Sequence, residues 1–244
     1  MNVYDVNSFY PSLMKDPKLL LPYGKPIFDT ITEFTNIIKV GIYRCSISGY
    51  DRKLFSPNVN SYYTYIDVKR AIELNYDIQL VIDGKPNSML YPKCINAHLL
   101  FGDYISNLFP LKKKNPLVKS MLNMLWGALC QRTKSFNSNN DKCEKDFADL
   151  EDDDIYPRGN NMVIKTVQGY LHPHARIGYF LTAFGRSKMS KLVEPIKDSV
   201  YRIHTDGLYT TTTDLPVSNL LGALKLEKSG LFKIISINNI ECII

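Results

Sequence analysis

Two aspartates near opposite ends of the chain, with a lysine and an asparagine between them, have the types and spacing that could do chemistry. Asp206 lies in Tyr201-Arg202-Ile203-His204-Thr205-Asp206-Gly207-Leu208-Tyr209. There the alternation predicts a short β-hairpin with Ile203 and Thr205 on one face and His204 and Asp206 on the other. An ionised carboxylate is costly to bury without a partner. Beside a tight turn at Gly207, Asp206 is therefore either an exposed turn residue or a metal ligand. Asp5 is carried by a second predicted strand that runs into Asn7-Ser8-Phe9-Tyr10-Pro11, a turn ahead of a short helix. Between the two, Lys119 and Asn123 in Lys119-Ser120-Met121-Leu122-Asn123-Met124-Leu125-Trp126-Gly127 stand one helical turn apart on one face.

These three stretches, in this order, resemble motifs A, B and C of the family B DNA polymerases. The motif A form D-x-x-S-L-Y-P is matched by Asp5, Ser8, Phe9, Tyr10 and Pro11, with Phe in place of Leu. Motif B, K-x-x-x-N-x-x-Y-G, is matched by Lys119, Asn123 and Gly127, with Trp126 in place of Tyr. Motif C, Y-x-D-T-D-S, is matched by Thr205 and Asp206, with His204 for the first Asp and Gly207 for Ser. The co-occurrence in order is more specific than any one motif. The match is to the palm and fingers portion, and to the protein-primed branch found in viruses and linear plasmids.

The resemblance implies an α+β fold: a polymerase palm, an antiparallel sheet with helices on one face, and a helical-hairpin fingers element. It implies a DNA-directed DNA polymerase that transfers a nucleotidyl group from a dNTP to a primer 3′-hydroxyl with two Mg²⁺ ions about 4 Å apart. Asp5 and Asp206 would be the catalytic metal ligands, with the Val6 backbone carbonyl in the metal shell. Lys119 and Asn123 would hold the triphosphate, the backbone N–H groups at Ser8 and Phe9 would cradle it, and Tyr10 would wall off a ribose 2′-hydroxyl. Lys112, in its Leu111-Lys112 context, matches the basic residue ahead of motif B that touches the nucleotide in the protein-primed branch. Trp126 and Gly127 would lie near the nascent base pair. The implied partners are primed template DNA, dNTPs, a terminal-protein primer and a separately encoded exonuclease or thumb-bearing protein.

Two other readings stay open. His204 replaces a carboxylate, so the chain is either an active polymerase core that relies on Asp206 or a catalytically degenerate palm acting as a DNA-binding or replication-complex subunit. A palm-type nucleotidyl cyclase also pairs carboxylates on adjacent strands, but it accounts for neither the Lys119–Asn123–Gly127 helix nor Tyr10.

At 244 residues and 45% hydrophobic content the chain can bury a sizeable core. The net charge of +6 hides an asymmetry: residues 141–154 hold 8 of the 24 acidic residues, and elsewhere 28 basic residues face 16 acidic ones. That surplus suits a polyanionic partner, or simply a soluble basic protein. The five cysteines are scattered and odd in number, without C-x-x-C pairs, which argues for reduced thiols over a disulfide framework or zinc site. His172-Pro173-His174 reads as a turn. No apolar run spans a bilayer and no signal peptide precedes the first strand, so a soluble intracellular protein with no membrane partner is expected.

The elements that must position these residues follow in order. Residues 1–26 form palm with motif A, ending in the breaker-rich loop Leu21-Pro22-Tyr23-Gly24-Lys25-Pro26. Residues 27–94 form a palm extension or inserted subdomain, with strands at 40–47 and 77–82 around a helix at 66–75. Residues 95–131 form the fingers, two helices at 95–112 and 117–131 joined by a basic tip. Residues 132–168 are an insertion with the acidic run, whose Asp149-Leu150-Glu151 matches an exonuclease D-x-E only by chance. Residues 169–244 return to palm: a helix at 175–192, the Asp206 hairpin, a short helix at 217–224 and strands at 225–227, 232–237 and 240–244. The stretch Leu221-Gly222-Ala223-Leu224-Lys225-Leu226-Glu227 resembles the palm just past motif C. Because the chain opens four residues before Asp5 and closes soon after motif C, no proofreading, a minimal thumb and poor processivity are expected.

Overall fold

The computed structural model describes residues 1–131, 155–158, 161–164, 172, 174–234 and 240–243. The chain begins with β1 (Asn2–Val6) and α1 (Phe9–Met14), then β2 (Leu20–Tyr23), β3 (Ile27–Asp29), β4 (Gly41–Ser48), β5 (Tyr62–Thr64) and α2 (Tyr65–Glu73). Next come β6 (Asp77–Leu80), β7 (Ser88–Leu90), β8 (Lys93–Asn96), α3 (Ala97–Leu108), a 3-10 turn at Phe109–Leu111 and α4 (Pro116–Leu129). After the β9 (Ile155–Arg158) and β10 (Asn161–Ile164) pair, α5 (Arg176–Val193) runs into a 3-10 turn at Glu194–Ser199. The chain closes with β11 (Val200–His204), β12 (Gly207–Thr210), β13 (Leu224–Ser229), β14 (Leu231–Ile234) and β15 (Ile240–Ile243). This is the α+β architecture of antiparallel sheets and packed helices that the sequence implies.

One sheet has the order β11-β12-β1-β13, with every neighbouring pair antiparallel. Along β1 the period of two buries Tyr4 and Val6 and leaves Val3 and Asp5 on the other face. Helices α1 and α5 meet the buried face, where Val6, Phe9, Leu13, Met189, Leu192 and Leu224 surround a common cavity. Gly185 of α5 lets α1 approach closely, since a Cβ there would stand 3.1 Å from both Leu13 Cδ1 and Phe9 Cε1. A second sheet, β3-β7-β4-β5 with β6 also on β4, occupies the interval expected to be an insertion.

Ion pairs join the two halves through α2 and α5. The Thr64 hydroxyl caps α2, and Asp67 reaches back to the Thr64 N–H at 3.0 Å, a reciprocal capping box. Buried Asp67 also accepts from Arg186 Nη2 at 3.0 Å. Arg70, buried as well, donates to Ser190 Oγ at 2.8 Å and to Glu194 at 2.7 Å.

Several expected boundaries are corrected. Pro22 lies in a strand, not in a loop, because among the described residues β2 pairs only with β8, and the other edge needs no N–H from Pro22. Ile95 belongs to β8 opposite Leu21, and α3 starts only after the Asn96 side chain caps His98 N–H at 2.8 Å. The helix expected over residues 95–112 is cut at Leu108, with Pro110 in the following 3-10 turn. Residues 217–224 are not helical. Asn7 Nδ2 takes the Asn219 and Leu220 carbonyls at 2.8 and 3.1 Å, and Gly222 turns the chain at φ 78°. Of the expected insertion only β9 and β10 are described; the acidic run at 141–154, with Asp149-Leu150-Glu151, lies outside the described residues. Among the described residues no helix is long and apolar enough to cross a membrane.

Asp67→Ala removes the carboxylate from the capping box, leaves the buried Thr64 N–H without its acceptor and unpairs Arg186. The expected loss is about 2 kcal/mol, measured as a lower urea midpoint at unchanged m value. An unchanged midpoint would show that α2 is held by its apolar contacts alone.

Candidate active site

The two aspartates are brought together by strand pairing. Asp5 stands opposite Gly207 in the β1–β12 ladder, which puts Asp206 one residue beyond its partner. The Val6 N–H donates to the Asp206 carbonyl at 3.0 Å. Asp5 Oδ1 lies 3.9 Å from the point where a Cβ would stand on Gly207. The hairpin loop is Thr205-Asp206, one position earlier than a turn at Gly207 would give: His204 pairs with Gly207, and Thr205 carries the left-handed backbone at φ 58°. Ser8 is left-handed too, at φ 52°. Non-glycine residues in this region are strained, a β-branched threonine most of all, and here two of them flank the carboxylate pair.

Burial first, and then the Asp5 charge, raise the Asp206 carboxyl above the usual aspartate range, while its own backbone N–H, Lys225 and His204 pull the other way. Lys225 of β13, directly opposite Asp5, places its Nζ 3.0 Å from Asp5 Oδ2 and also pairs with Glu227 Oε1. His204 is exposed at the end of β11.

Lys112 reaches this site from the α3–α4 connection. Its Nζ donates to Ser8 Oγ at 2.6 Å and to Asn7 Oδ1 at 3.0 Å. Burial, then Lys225 and Lys119, lower its pKa, so three ammonium groups act on one small region. Lys119 and Asn123 share an exposed face of α4, which buries Val118 and Leu122 on its other side. One turn further on, Trp126 stacks on Tyr10 with ring centroids 4.8 Å apart. Burial, then the Asp206 charge, raise the Tyr10 hydroxyl pKa against the pull of Arg186. The Phe9 side chain is buried in the core, so only its backbone is available to a ligand. A cavity of about 430 Å³ beside these groups is lined by Tyr10, Arg52, Arg186, Ser190, Ile203 and Thr205.

Asn7, Arg186 and Lys225 are site residues the sequence reading passed over. Asn7 joins Lys112 to the 219–223 loop, accepting from Gly222 N–H at 2.8 Å and donating to Ala223 O at 2.9 Å. Its only sequence signal is its place inside D-x-x-S. Arg186 was visible as one of the basic residues at the edge of the 175–192 stripe, and Lys225 as a charge in the alternating stretch after the hairpin.

The residues present fit a divalent cation. Among the described residues no group of three or more His, Cys, Asp and Glu side chains could form an all-protein metal cage. A pair of carboxylates carrying surplus negative charge is instead the donor set that Mg²⁺ accepts, with waters and substrate phosphates completing its shell.

The sequence model of the family described as DNA polymerase type B, organellar and viral, matches residues 1–168. The fold is similar to that of phi29 DNA polymerase. Its complex with primer-template DNA superposes at TM-score 0.64 with 21% identity, covering 91% of this chain and 41% of that one. Its ternary complex with primer-template DNA and incoming nucleotide gives 0.61 and 21%, over 92% and 42%. Its orthorhombic crystal form gives 0.59 and 20%, over 91% and 42%. The chain thus spans about two-fifths of the phi29 polymerase length. No functionally curated protein matches the sequence.

The Asp206 environment has a thermodynamic consequence. Folding raises this carboxyl's pKa, so it disfavours the ionised form. The penalty is absent below the unfolded-state value of about 3.9, grows as pH rises through the raised folded-state value and is complete above it. In divalent-free buffer Asp206→Asn is therefore expected to raise Tm by about 2 °C near pH 7 and to lose that gain near about pH 3. An equal gain at both pH values would trace the effect to something other than charge.

Proposed function

Because the chain belongs to the DNA polymerases of type B, organellar and viral, we propose that it is a DNA-directed DNA polymerase core with its active centre at Asp5 and Asp206. The observation that carries this reading is the Val6 N–H···O=C Asp206 hydrogen bond, which ties the two carboxylate-bearing strands together. The sheet β11-β12-β1-β13 with α1 and α5 is the palm, residues 27–94 are its inserted subdomain, and α3 with α4 is the fingers element. The phi29 structures hold primer-template DNA and incoming nucleotide in that polymerase; the same substrate classes are proposed here.

Two Mg²⁺ ions, held by Asp5, Asp206 and the Val6 carbonyl, would supply activation of the primer 3′-hydroxyl and neutralisation of the leaving pyrophosphate. The chain's own groups do the rest. Lys112 is held by Asn7 and Ser8 at the turn after Asp5, where it meets the triphosphate; Lys119 adds a second charge and Asn123 a hydrogen-bond donor from α4. The backbone N–H groups at Ser8 and Phe9 add donors at the same turn. Tyr10, fixed by stacking on Trp126, stands as a wall against a 2′-hydroxyl, with Gly127 beside the nascent base pair. In the reaction the 3′-oxygen bonds to the α-phosphorus as the bridging P–O bond to the β-phosphate breaks. Pyrophosphate leaves with the electron pair, and the hydroxyl proton passes to solvent.

The basic surplus outside residues 141–154 suits the DNA backbone. A terminal-protein primer and a separate exonuclease or thumb-bearing protein complete the proposed partners. One observation favours a second reading: His204 stands where the motif pattern has a carboxylate, as in a degenerate palm that binds DNA without catalysis.

Primer extension with Mg²⁺ separates the two. Asp206→Asn is expected to reduce extension at least about 100-fold, while His204→Asp preserves or raises it. Equal activity of the wild type and Asp206→Asn would refute the assignment.

Tyr10→Val is expected to lower the ratio of deoxynucleotide to ribonucleotide incorporation about tenfold or more with extension largely kept, since it removes a wall and no reacting group. An unchanged ratio with weaker extension would make Tyr10 structural only.

A further inference from the structure

The sheet supplies a cation of its own to the carboxylate pair. β13 flanks β1 on the side away from β12, and the register sets Lys225 directly opposite Asp5. The period of two then carries Glu227 on the same face as Lys225. The Lys225 ammonium contacts Asp5 Oδ2 at 3.0 Å and Glu227 Oε1 as well. It therefore bridges two seats at once, a carboxylate of the site and one beside it. Glu227 is exposed and Lys225 half-exposed, so side-chain rotation alone can release Asp5 while the contact to Glu227 is kept, with the strand pairing intact.

An ammonium on Asp5 Oδ2 occupies one coordination direction of that oxygen and repels any second cation brought to it. Asp5, Asp206 and Glu227 are three carboxylates against the ammonium groups of Lys225 and the nearby Lys112, so the cluster still attracts a divalent ion. That ion gains Asp5 fully only when Lys225 lets go. We propose that Lys225 is a tethered counter-ion of the metal site: it holds Asp5 when no divalent ion is present and withdraws onto Glu227 when one binds, so that Lys225 and Glu227 together set the affinity for the ion. This rests on the reading of Asp5 and Asp206 as metal ligands. No proton moves, and Lys225 stays charged in both seats. Lys225 is a positioning residue here.

The test is Mn²⁺ binding to the full chain without DNA or nucleotide, measured by titration calorimetry and by the paramagnetic resonance signal of free Mn²⁺. Lys225→Met keeps the aliphatic stem and removes the competitor, so Kd should fall about fivefold. Lys225→Arg keeps the charge and should stay near the wild-type value. Glu227→Gln removes the second seat and should raise Kd by a similar factor, but only while Lys225 is present; in Lys225→Met/Glu227→Gln the effect should vanish. Unchanged or weaker binding by Lys225→Met overturns the proposal. So does a Glu227→Gln effect of the same size in both backgrounds, which would make Glu227 a direct attractor of the metal. Asp5→Asn separates the two levels: if it abolishes Mn²⁺ binding while Lys225→Met changes nothing, only the counter-ion role falls. If it leaves binding unchanged, the metal site itself falls with it. Should Lys225→Met not fold, Lys225→Gln takes its place, alone and combined with Glu227→Gln, with the same outcomes deciding.

Discussion

The hydrogen bond from Val6 N–H to the Asp206 carbonyl holds together two strands whose side chains repel one another. Asp5 and Asp206 are carboxylates on neighbouring backbone, and burial first, then the Asp5 charge, raise the Asp206 pKa there. Only a rigid ladder can impose that placement. The ladder is supported from behind, because Tyr4 and Leu208, paired across β1 and β12, are almost fully buried, as is Val6. The apolar residues of one face of β1 thus stabilise the charge arrangement on the other. The same strand does both through its period of two.

Strain gathers at the same place. Ser8 and Thr205 adopt left-handed backbone just after Asp5 and just before Asp206, each costing about 1–2 kcal/mol relative to ordinary conformations. Such residues persist where their surroundings over-determine them. Around Ser8 that constraint comes from Lys112 on its hydroxyl and from Asn7, whose backbone and side chain tie the turn to residues 219–223. Around Thr205 it comes from the two-residue closure between His204 and Gly207. Arg186 carries the constraint further: it lines the cavity beside Tyr10 and Thr205, and its guanidinium is held by Asp67 of α2. The second sheet is thereby connected to the site through one buried carboxylate.

The parts of this structure that were legible in the sequence are those set by local period or local spacing. The Asp5 strand, the apolar stripe of α5 and the shared face of Lys119 and Asn123 follow from alternation and helical geometry, and the ordered motifs led to the family. What escaped depends on partners distant in sequence. Pro22 is tolerated in a strand because of which edge of β2 is open. The 217–224 segment looked helical by composition, yet its carbonyls are claimed by Asn7, more than two hundred positions away. Lys225 looked like an ordinary strand charge until the β1–β13 register set it against Asp5.

The electrostatics of the site are unbalanced in two opposite ways at once. Burial and a like-charged neighbour raise the Asp206 carboxyl, while burial and like-charged neighbours lower Lys112. A cation alone would relieve the carboxylates but come up against Lys225, and through it the other ammonium groups. An anion alone would relieve Lys112, Lys119 and Lys225 but come up against Asp5 and Asp206. A ligand that brings both signs together, as a divalent ion on a triphosphate does, relieves both sets. On the function proposed here, metal and nucleotide therefore assist one another's binding, and by linkage each raises the affinity for the other by the same factor. On the same proposal Lys225 is the residue on which that coupling turns, since it touches Asp5 directly and acts on Lys112 through its charge.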